Sequence, residues 1–199
     1  YLHLSEPFND VSAVDFVDSN IAKRYRPVYK GNLIINSNFD QEKGNAVIET
    51  PNGSYLVVGQ SFSSDGDIKA AAGSSDIVLA TLSATGQLLA LKTFGGAGFE
   101  TALALEQRTD GTLIIIGNKS PQRNISTDVI LDNDVALYYT LPNGSLINTT
   151  SLAGPGLDEG NDLILTREGK VIVVGSTESN AGDFAYTRGE KDIFVAFWH

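Results

Sequence analysis

The chain repeats itself with a fixed period. Three glycines that close apolar segments lie 58 residues apart: Gly59, Gly117 and Gly175. An aspartate follows each of them after 17 residues: Asp76, Asp134 and Asp192. Self-similarity at a fixed spacing is the signature of a fold in which one small unit is built several times. Such folds carry many functions, so the repeat constrains the architecture more than the activity.

Each unit begins with two apolar segments joined by a glycine turn. Aligned on the repeated glycines, the segments read NAVIETPNGSYLVVG, LALEQRTDGTLIIIG and NDLILTREGKVIVVG. Gly53, Gly111 and Gly169 stand where a short hairpin needs positive φ. The β-branched runs that end at the repeated glycines are typical of strands buried on both faces. A strand, a tight turn and a buried strand are therefore predicted in each unit.

A third strand is predicted from each repeated aspartate. In the first two units a further turn, at Gly86 and Gly144, leads to a fourth strand. Helical apolar spacing is never sustained over more than about two turns, so we predict an all-β fold. Four short antiparallel strands are the make-up of a β-propeller blade.

We expect residues 1–199 to be a single β-propeller domain or a portion of one, with units at about 44–96, 97–155 and 156–199. Residues 10–40 are expected to form a partial blade, in which 31–39 has the spacing of a fourth strand. About three blades are visible, whereas closed propellers have about four to eight. We therefore expect a portion of a longer chain, an undetected divergent blade, or a ring closed between chains.

Composition excludes several classes of function. The formal net charge of −10 argues against a nucleic-acid partner, because an acidic surface repels phosphates. Cysteine is absent, which excludes disulfides and thiol chemistry, and the two histidines, His3 and His199, stand at opposite ends. No apolar run has the roughly 18 residues of a transmembrane helix, so no transmembrane segment is expected.

Residues 63–96, SSDGDIKAAAGSSDIVLATLSATGQLLALKTFGG, carry a family pattern. They resemble the long-period β-propeller repeats of bacterial secreted and outer-surface proteins, which are common in Bacteroidetes lipoproteins. Residues 159–199 match through STESNAGDF and EKDIFVAFWH, whereas the middle unit departs from the pattern with SPQRNISTDVILDND. The resemblance implies an extracytoplasmic protein at the cell surface or outer membrane, with any lipid anchor outside this sequence. It also implies a binding or scaffold role.

The long loops after the repeated glycines, and the links between units, are predicted to share one face of the fold. Binding surfaces normally lie on long loops of a rigid scaffold, so we expect the ligand-binding face there. Its candidate residues are acidic: Asp65, Asp67, Glu100, Asp158, Glu159 and Asp183.

Asp65 and Asp67 are candidate calcium ligands, because calcium prefers several carboxylate and carbonyl oxygens. The alternative is that they cap a turn, since the loop lacks the full acidic pattern of an EF-hand. No other metal or cofactor is expected. The repeated aspartates are expected to accept hydrogen bonds from loop amides, because a repeat needs the same fastening in every unit.

The sequence thus favours a non-enzymatic module that binds another protein, expected to be one of the cell envelope, with no catalytic residues assigned. A glycan-binding module is the first alternative. A polysaccharide-cleaving enzyme is the second, and it would need two carboxylates roughly 5–10 Å apart.

Overall fold

The computed structural model describes residue 35 and residues 42–64, 67–68, 74–121, 123–124, 129–130 and 132–198. The partial blade expected at 10–40 therefore lies outside the described residues, apart from Ile35, and so does His199.

The described chain is all-β, as predicted, and each repeat unit forms one antiparallel sheet. The strands in chain order are β1 (Glu42–Glu49), β2 (Tyr55–Ser61), β3 (Asp76–Leu82), β4 (Leu88–Phe94), β5 (Phe99–Gln107), β6 (Leu113–Ser120), β7 (Arg123–Asn124), β8 (Val129–Ile130), β9 (Asp134–Thr140), β10 (Leu146–Leu152), β11 (Asp158–Leu165), β12 (Val171–Thr177) and β13 (Asp192–Trp198). Sheet I has the order β1-β2-β3-β4, sheet II β5-β6-β9-β10 and sheet III β11-β12-β13. β7 and β8 pair as a separate small hairpin. A single 3-10 turn, Gly182–Phe184, is the only helix among these residues.

The tight turns have the predicted conformation. The glycines of the β1–β2, β3–β4, β5–β6, β9–β10 and β11–β12 turns all have positive φ, between 79° and 86°. Glycine reaches this region without the steric cost that a Cβ brings, which explains why it recurs there. The hairpin predictions are confirmed.

Each repeated glycine lies opposite a β-bulge in the first strand of its unit. The register of β1 and β2 shifts between Gly44 and Ala46, next to the Gly44–Gly59 pair. The same shift recurs one and two periods later, opposite Gly117 and Gly175. A Cβ built on Gly117 would lie 1.6 Å from the Thr101 carbonyl oxygen. The bulged backbone therefore occupies the space of a side chain, and only glycine fits.

The hydrophobic core lies on both faces of sheet II. Leu113 and Ile115 of β6 pack against sheet I, whereas Ile114 and Ile116 belong to the cluster shared with sheet III. All four side chains are fully buried, which confirms that this apolar run is a strand covered on both sides. The same prediction is wrong for β12, where Val174 is 39% exposed, because among the described residues no sheet covers the second face of sheet III.

Backbone hydrogen bonds connect each sheet to the next at the start of its first strand. The Glu100 amide donates to the Ser75 carbonyl at 2.9 Å, and one period later the Asp158 amide donates to the Asn133 carbonyl at 2.7 Å. Parallel bridges, Ser75 with Phe99 and Asn133 with Leu157, accompany them. We call these two places the sheet junctions. They recur at the period of the sequence, so the repeat includes the way in which sheets join.

The close contact at Gly117 gives a test of this account. Gly117→Ala forces a Cβ against backbone that cannot move aside, and we expect it to lower the free energy of unfolding by about 3 kcal/mol or more. Gly44→Ala is the matched control, because nothing lies within 4 Å of an added Cβ there, and it should cost less than about 1 kcal/mol. Urea unfolding measures both. Equal losses would contradict the bulge as the reason for the repeated glycine.

Candidate functional site

The long loops leave from one edge of each sheet. Register places the start of β11, the end of β12 and the start of β13 side by side, through the pairs Asp158–Thr177 and Thr177–Asp192. The corresponding strand ends are paired in the other two sheets, Ser61 with Asp76 and Lys119 with Asp134. We call this side of the sheets, where the chain leaves for its long loops, the loop edge. The opposite edge carries the tight turns. The predicted separation of long loops from tight turns is confirmed.

Asp158 is a structural residue at the second sheet junction. Its side chain is fully buried. Its Oδ1 accepts a hydrogen bond from the Thr177 hydroxyl at 2.5 Å and its Oδ2 one from the Ser179 hydroxyl at 2.9 Å. Ser179 Oγ in turn accepts from the Gly156 amide at 2.8 Å. The carboxylate therefore fastens β11, β12 and the preceding link together.

The first unit contains the same fastening. The Ser61 hydroxyl donates to the Glu42 carboxylate at 3.1 Å and accepts from the Ser63 amide at 2.9 Å. Glu42 and Ser61 precede Asp158 and Thr177 by two periods. An acid on the first strand and a hydroxyl at the end of the second were a repeat signal that the sequence analysis missed.

Glu100 occupies the corresponding position in the middle unit, but its hydrogen-bond partner is different. It accepts a hydrogen bond from the Gly96 amide at 3.1 Å. Burial raises the pKa of Glu100, and nearby Asp76 raises it further, while the Gly96 hydrogen bond and Lys119 act against them. A Cβ on Gly95 would lie 2.1 Å from Asp76 Oδ1 and 2.8 Å from Glu100 Oε2. Two carboxyl groups thus converge on Gly95 at the first sheet junction.

The later repeated aspartates also lie at the loop edge. Burial raises the pKa of Asp134, and Asp132, Asp158 and Asp183 add to the effect while Lys119 opposes it. Asp192 Oδ2 accepts a hydrogen bond from the Arg188 amide at 2.5 Å. Fastening a loop amide is the role that the sequence predicted for these residues, and Asp192 performs it.

The remaining predicted site residues are spread over two units. Asp67 is exposed, and Asp65 lies outside the described residues. Glu159 pairs with Lys191 at 2.7 Å. Asp183 accepts a hydrogen bond from the Ala153 amide at 2.9 Å, and its own amide donates to the Ala153 carbonyl at 3.0 Å. Glu159 and Asp183 thus make contacts within the third unit.

Metal binding has no candidate among the described residues, where no three His, Asp or Glu side chains are grouped so as to hold an ion. The calcium hypothesis depends on Asp65 together with Asp67, and it stays a prediction.

The loop between β12 and β13 forms an open groove of about 410 Å³. It is lined by Asp183, Phe184, Ala185, Tyr186, Thr187, Arg188, Asp192 and Ile193. The Tyr186 side chain is 97% exposed, and Arg188 is exposed beside it. We call this the loop groove. Of its residues, only Asp183 was predicted to lie at a binding face. The tyrosine and arginine in the segment AYTRGE could have pointed to this loop as a binding surface.

The backbone of the loop groove is held at several points. Phe184 is buried and its ring lies 5.1 Å from that of Phe194. The Thr187 hydroxyl donates to the Ser179 carbonyl. Gly182 has φ +70°, and a Cβ there would lie 2.5 Å from the Ala153 carbonyl oxygen. A fixed backbone presents Tyr186 and Arg188 without the entropy cost of ordering a loop on binding.

No protein-family model matches the chain, and no curated protein shows significant similarity to it.

Within the described ranges, no helix combines the length and apolar character needed to cross a membrane.

The raised pKa of Glu100 predicts a pH dependence. Folding raises this pKa above 4.5, so the folded state disfavours the carboxylate. Its contribution to stability is therefore lost as pH rises from about 4.5 through the higher folded pKa. Glu100→Gln keeps an acceptor for the Gly96 amide and removes the charge. We expect the variant to be more stable than the wild type near neutral pH, with a gap that closes as pH falls to about 4.

Urea unfolding across this pH range measures the gap. The same change at Glu190, exposed in the β12–β13 loop, is the control for the loss of one surface charge. A Glu100→Gln variant less stable than wild type at neutral pH would show that the carboxylate is a net stabilising group.

Proposed function

We propose that this chain is a non-enzymatic binding module that holds a protein partner at the loop groove. The observation that carries the proposal is the exposure of Tyr186 and Arg188 on a loop whose backbone is fixed by hydrogen bonds and by buried Phe184. Tyrosine and arginine dominate the binding energy of protein interfaces, because each offers a large contact area with a directed polar group.

The wider proposal is that the three sheets are consecutive blades of a β-propeller. Support comes from the recurrence of the bulge, the sheet junction and the apolar faces at one period. The resemblance to bacterial surface repeats favours a place at the cell surface or the outer membrane, with a partner from the cell envelope.

The roles of the acidic residues support binding over catalysis. Asp158, Glu159 and Asp183 are each engaged in hydrogen bonds or an ion pair that hold strands and loops together. A polysaccharide-cleaving enzyme would use such carboxylates on its substrate. The same side chains instead serve the fold.

A glycan is the second candidate ligand. The exposed Tyr186 and Arg188 side chains line one open groove. An aromatic ring offers an apolar face with a polar handle, and a guanidinium group donates hydrogen bonds to the oxygens of hydroxyl-bearing ligands.

Alanine substitutions at the loop groove test the proposal. With envelope extract of the source organism passed over immobilised protein, partners retained by wild type should bind Tyr186→Ala and Arg188→Ala at least about tenfold more weakly. Arg167→Ala is the matched control, because Arg167 is exposed at the tight-turn edge. Neither groove variant should change thermal unfolding, since both side chains are exposed.

Retention unchanged in both groove variants would contradict the proposed site. A glycan array probed with wild type and Tyr186→Ala separates the two ligand classes. Carbohydrate binding that is lost with the tyrosine would favour the glycan alternative.

A further inference from the structure

Sheet III has one strand fewer than the other two sheets. In sheets I and II the third strand is paired on both sides, because β3 lies between β2 and β4, and β9 between β6 and β10. β13 holds the same place in the repeat, since Asp76, Asp134 and Asp192 begin these strands one period apart. Among the described residues, β13 pairs with β12 alone. We call the side of β13 that points away from β12 its outer edge.

The side chains of β13 are more exposed than those of the other third strands. Ala196 lies on the side of β13 that also carries Phe194 and Trp198, which pack against the core between sheets II and III. It is half-buried, whereas the residues at the same position of the repeat, Ala80 and Tyr138, are 1% and 3% exposed. The difference agrees with a fourth strand that flanks β3 and β9 and is not found beside β13 among the described residues.

The sequence of β13 does not protect its outer edge. Natural sheets block such edges with lysine, proline or a β-bulge, because unpaired N–H and C=O groups are a template for a further strand. β13 reads DIFVAFW, with no lysine, proline or glycine and with its single charge at the first residue. Its register with β12 contains no bulge. The outer edge of β13 therefore has the regular, apolar character of a strand that can accept another strand.

The two four-stranded sheets show which strand fits this edge. β4 and β10 run antiparallel to β3 and β9, and place Phe94 opposite Ile77 and Leu152 opposite Val135. Both Phe94 and Leu152 pack against the buried core. Ile193 is the corresponding residue of β13, and its side chain is 83% exposed. A strand that completed sheet III would therefore place a large apolar residue opposite Ile193.

The residue before this apolar position carries a hydroxyl group in both sheets. It is Thr93 in β4 and Ser151 in β10, and both are half-buried. The corresponding position opposite β13 is that of Phe194. The strand that fits thus ends with serine or threonine followed by a large apolar residue.

We infer that the outer edge of β13 binds an extended segment of a partner protein, which adds antiparallel as the fourth strand of sheet III. Backbone hydrogen bonds along the edge supply affinity, as in other cases of strand addition. The serine or threonine opposite Phe194 and the large apolar residue opposite Ile193 set the register. This binding uses the backbone of an edge strand and does not depend on the partner proposed for the loop groove.

A synthetic peptide of residues 145–152, SLINTTSL, is the probe, because it contains the fourth strand of sheet II. Trp198 is the only tryptophan of the chain and lies on β13, so its fluorescence reports binding at this strand. We expect a saturable change in Trp198 emission with a Kd below about 1 mM.

A peptide with proline at both threonine positions, Thr149→Pro with Thr150→Pro, is the matched control. Successive N–H groups of a strand point to opposite sides, so one of the two prolines removes a donor that faces β13. The control peptide should bind at least about tenfold more weakly.

A substitution in the protein locates the contact. Ile193→Ser removes the apolar surface that the last peptide residue would cover, and we expect the peptide to bind at least about fivefold more weakly. Val47→Ser is the matched control, because Val47 is 62% exposed on sheet I, and it should bind the peptide as wild type does. Circular dichroism checks that both variants fold.

Four results would overturn the inference. No saturable change in Trp198 emission up to about 1 mM peptide would show that the edge takes no added strand. Equal binding of the proline peptide would show that no strand ladder forms, and equal binding to Ile193→Ser would place the peptide elsewhere. A wild type that is dimeric by sedimentation velocity, with the dimer lost in Ile193→Ser, would show that a second copy occupies the edge.

Discussion

The contact between a bulged strand and a glycine is the constraint on which the rest of each unit depends. A Cβ added to the repeated glycine would lie within about 2 Å of a backbone carbonyl oxygen of the bulged strand in all three units. The distances are 1.9 Å from Gly59 to Lys43, 1.6 Å from Gly117 to Thr101 and 2.0 Å from Gly175 to Glu159. A β-bulge bends its strand and increases the local twist. The bulge thereby turns the start of the first strand toward the preceding sheet, where the Glu100 and Asp158 amides reach the carbonyls that hold two sheets together. The absence of a side chain at the glycine leaves room for the bulge, and the bend at the bulge brings the start of the strand within hydrogen-bonding distance of the preceding sheet.

The acidic residues at the loop edge follow from this geometry. A strand start that is drawn into a junction takes its side chain out of water, and a buried carboxylate needs donors. Asp158 has two hydroxyl donors and is satisfied. Glu100 has the Gly96 amide and the nearby charge of Lys119 instead, and its pKa remains raised because burial and Asp76 outweigh them. The same position thus contributes to stability to a different extent in different units.

The sequence predicted what depends on local chemistry. Glycine at a hairpin turn has a conformational reason that needs no tertiary information, and the turns at Gly53, Gly111 and Gly169 form as expected. The bulges were not predicted from the sequence. The extra residue, at 45, 103 and 161, occurs in every unit and so leaves the period unchanged, and it is not the same residue type in all three units. The role of Asp158 was also missed, because a spacing does not show which side chains turn inward. Asp183 was placed at the loop edge, but the groove beside it depends on the packing of Phe184, which only the fold shows.

The apolar run of β12 shows why burial is the harder prediction. Its sequence, VIVVG, has the same character as LIIIG of β6, yet β6 is covered on both faces and β12 on one. Full burial of a valine, isoleucine or phenylalanine side chain contributes about 1.5–3 kcal/mol, so the uncovered face retains a driving force for packing that β6 has already used. β13 carries this face and also begins at Asp192, which fixes the Arg188 amide of the loop groove. A sheet that covered β13 would therefore also restrain the strand that positions Arg188. Packing of another sheet on the exposed face of sheet III would therefore also help to order the loop groove.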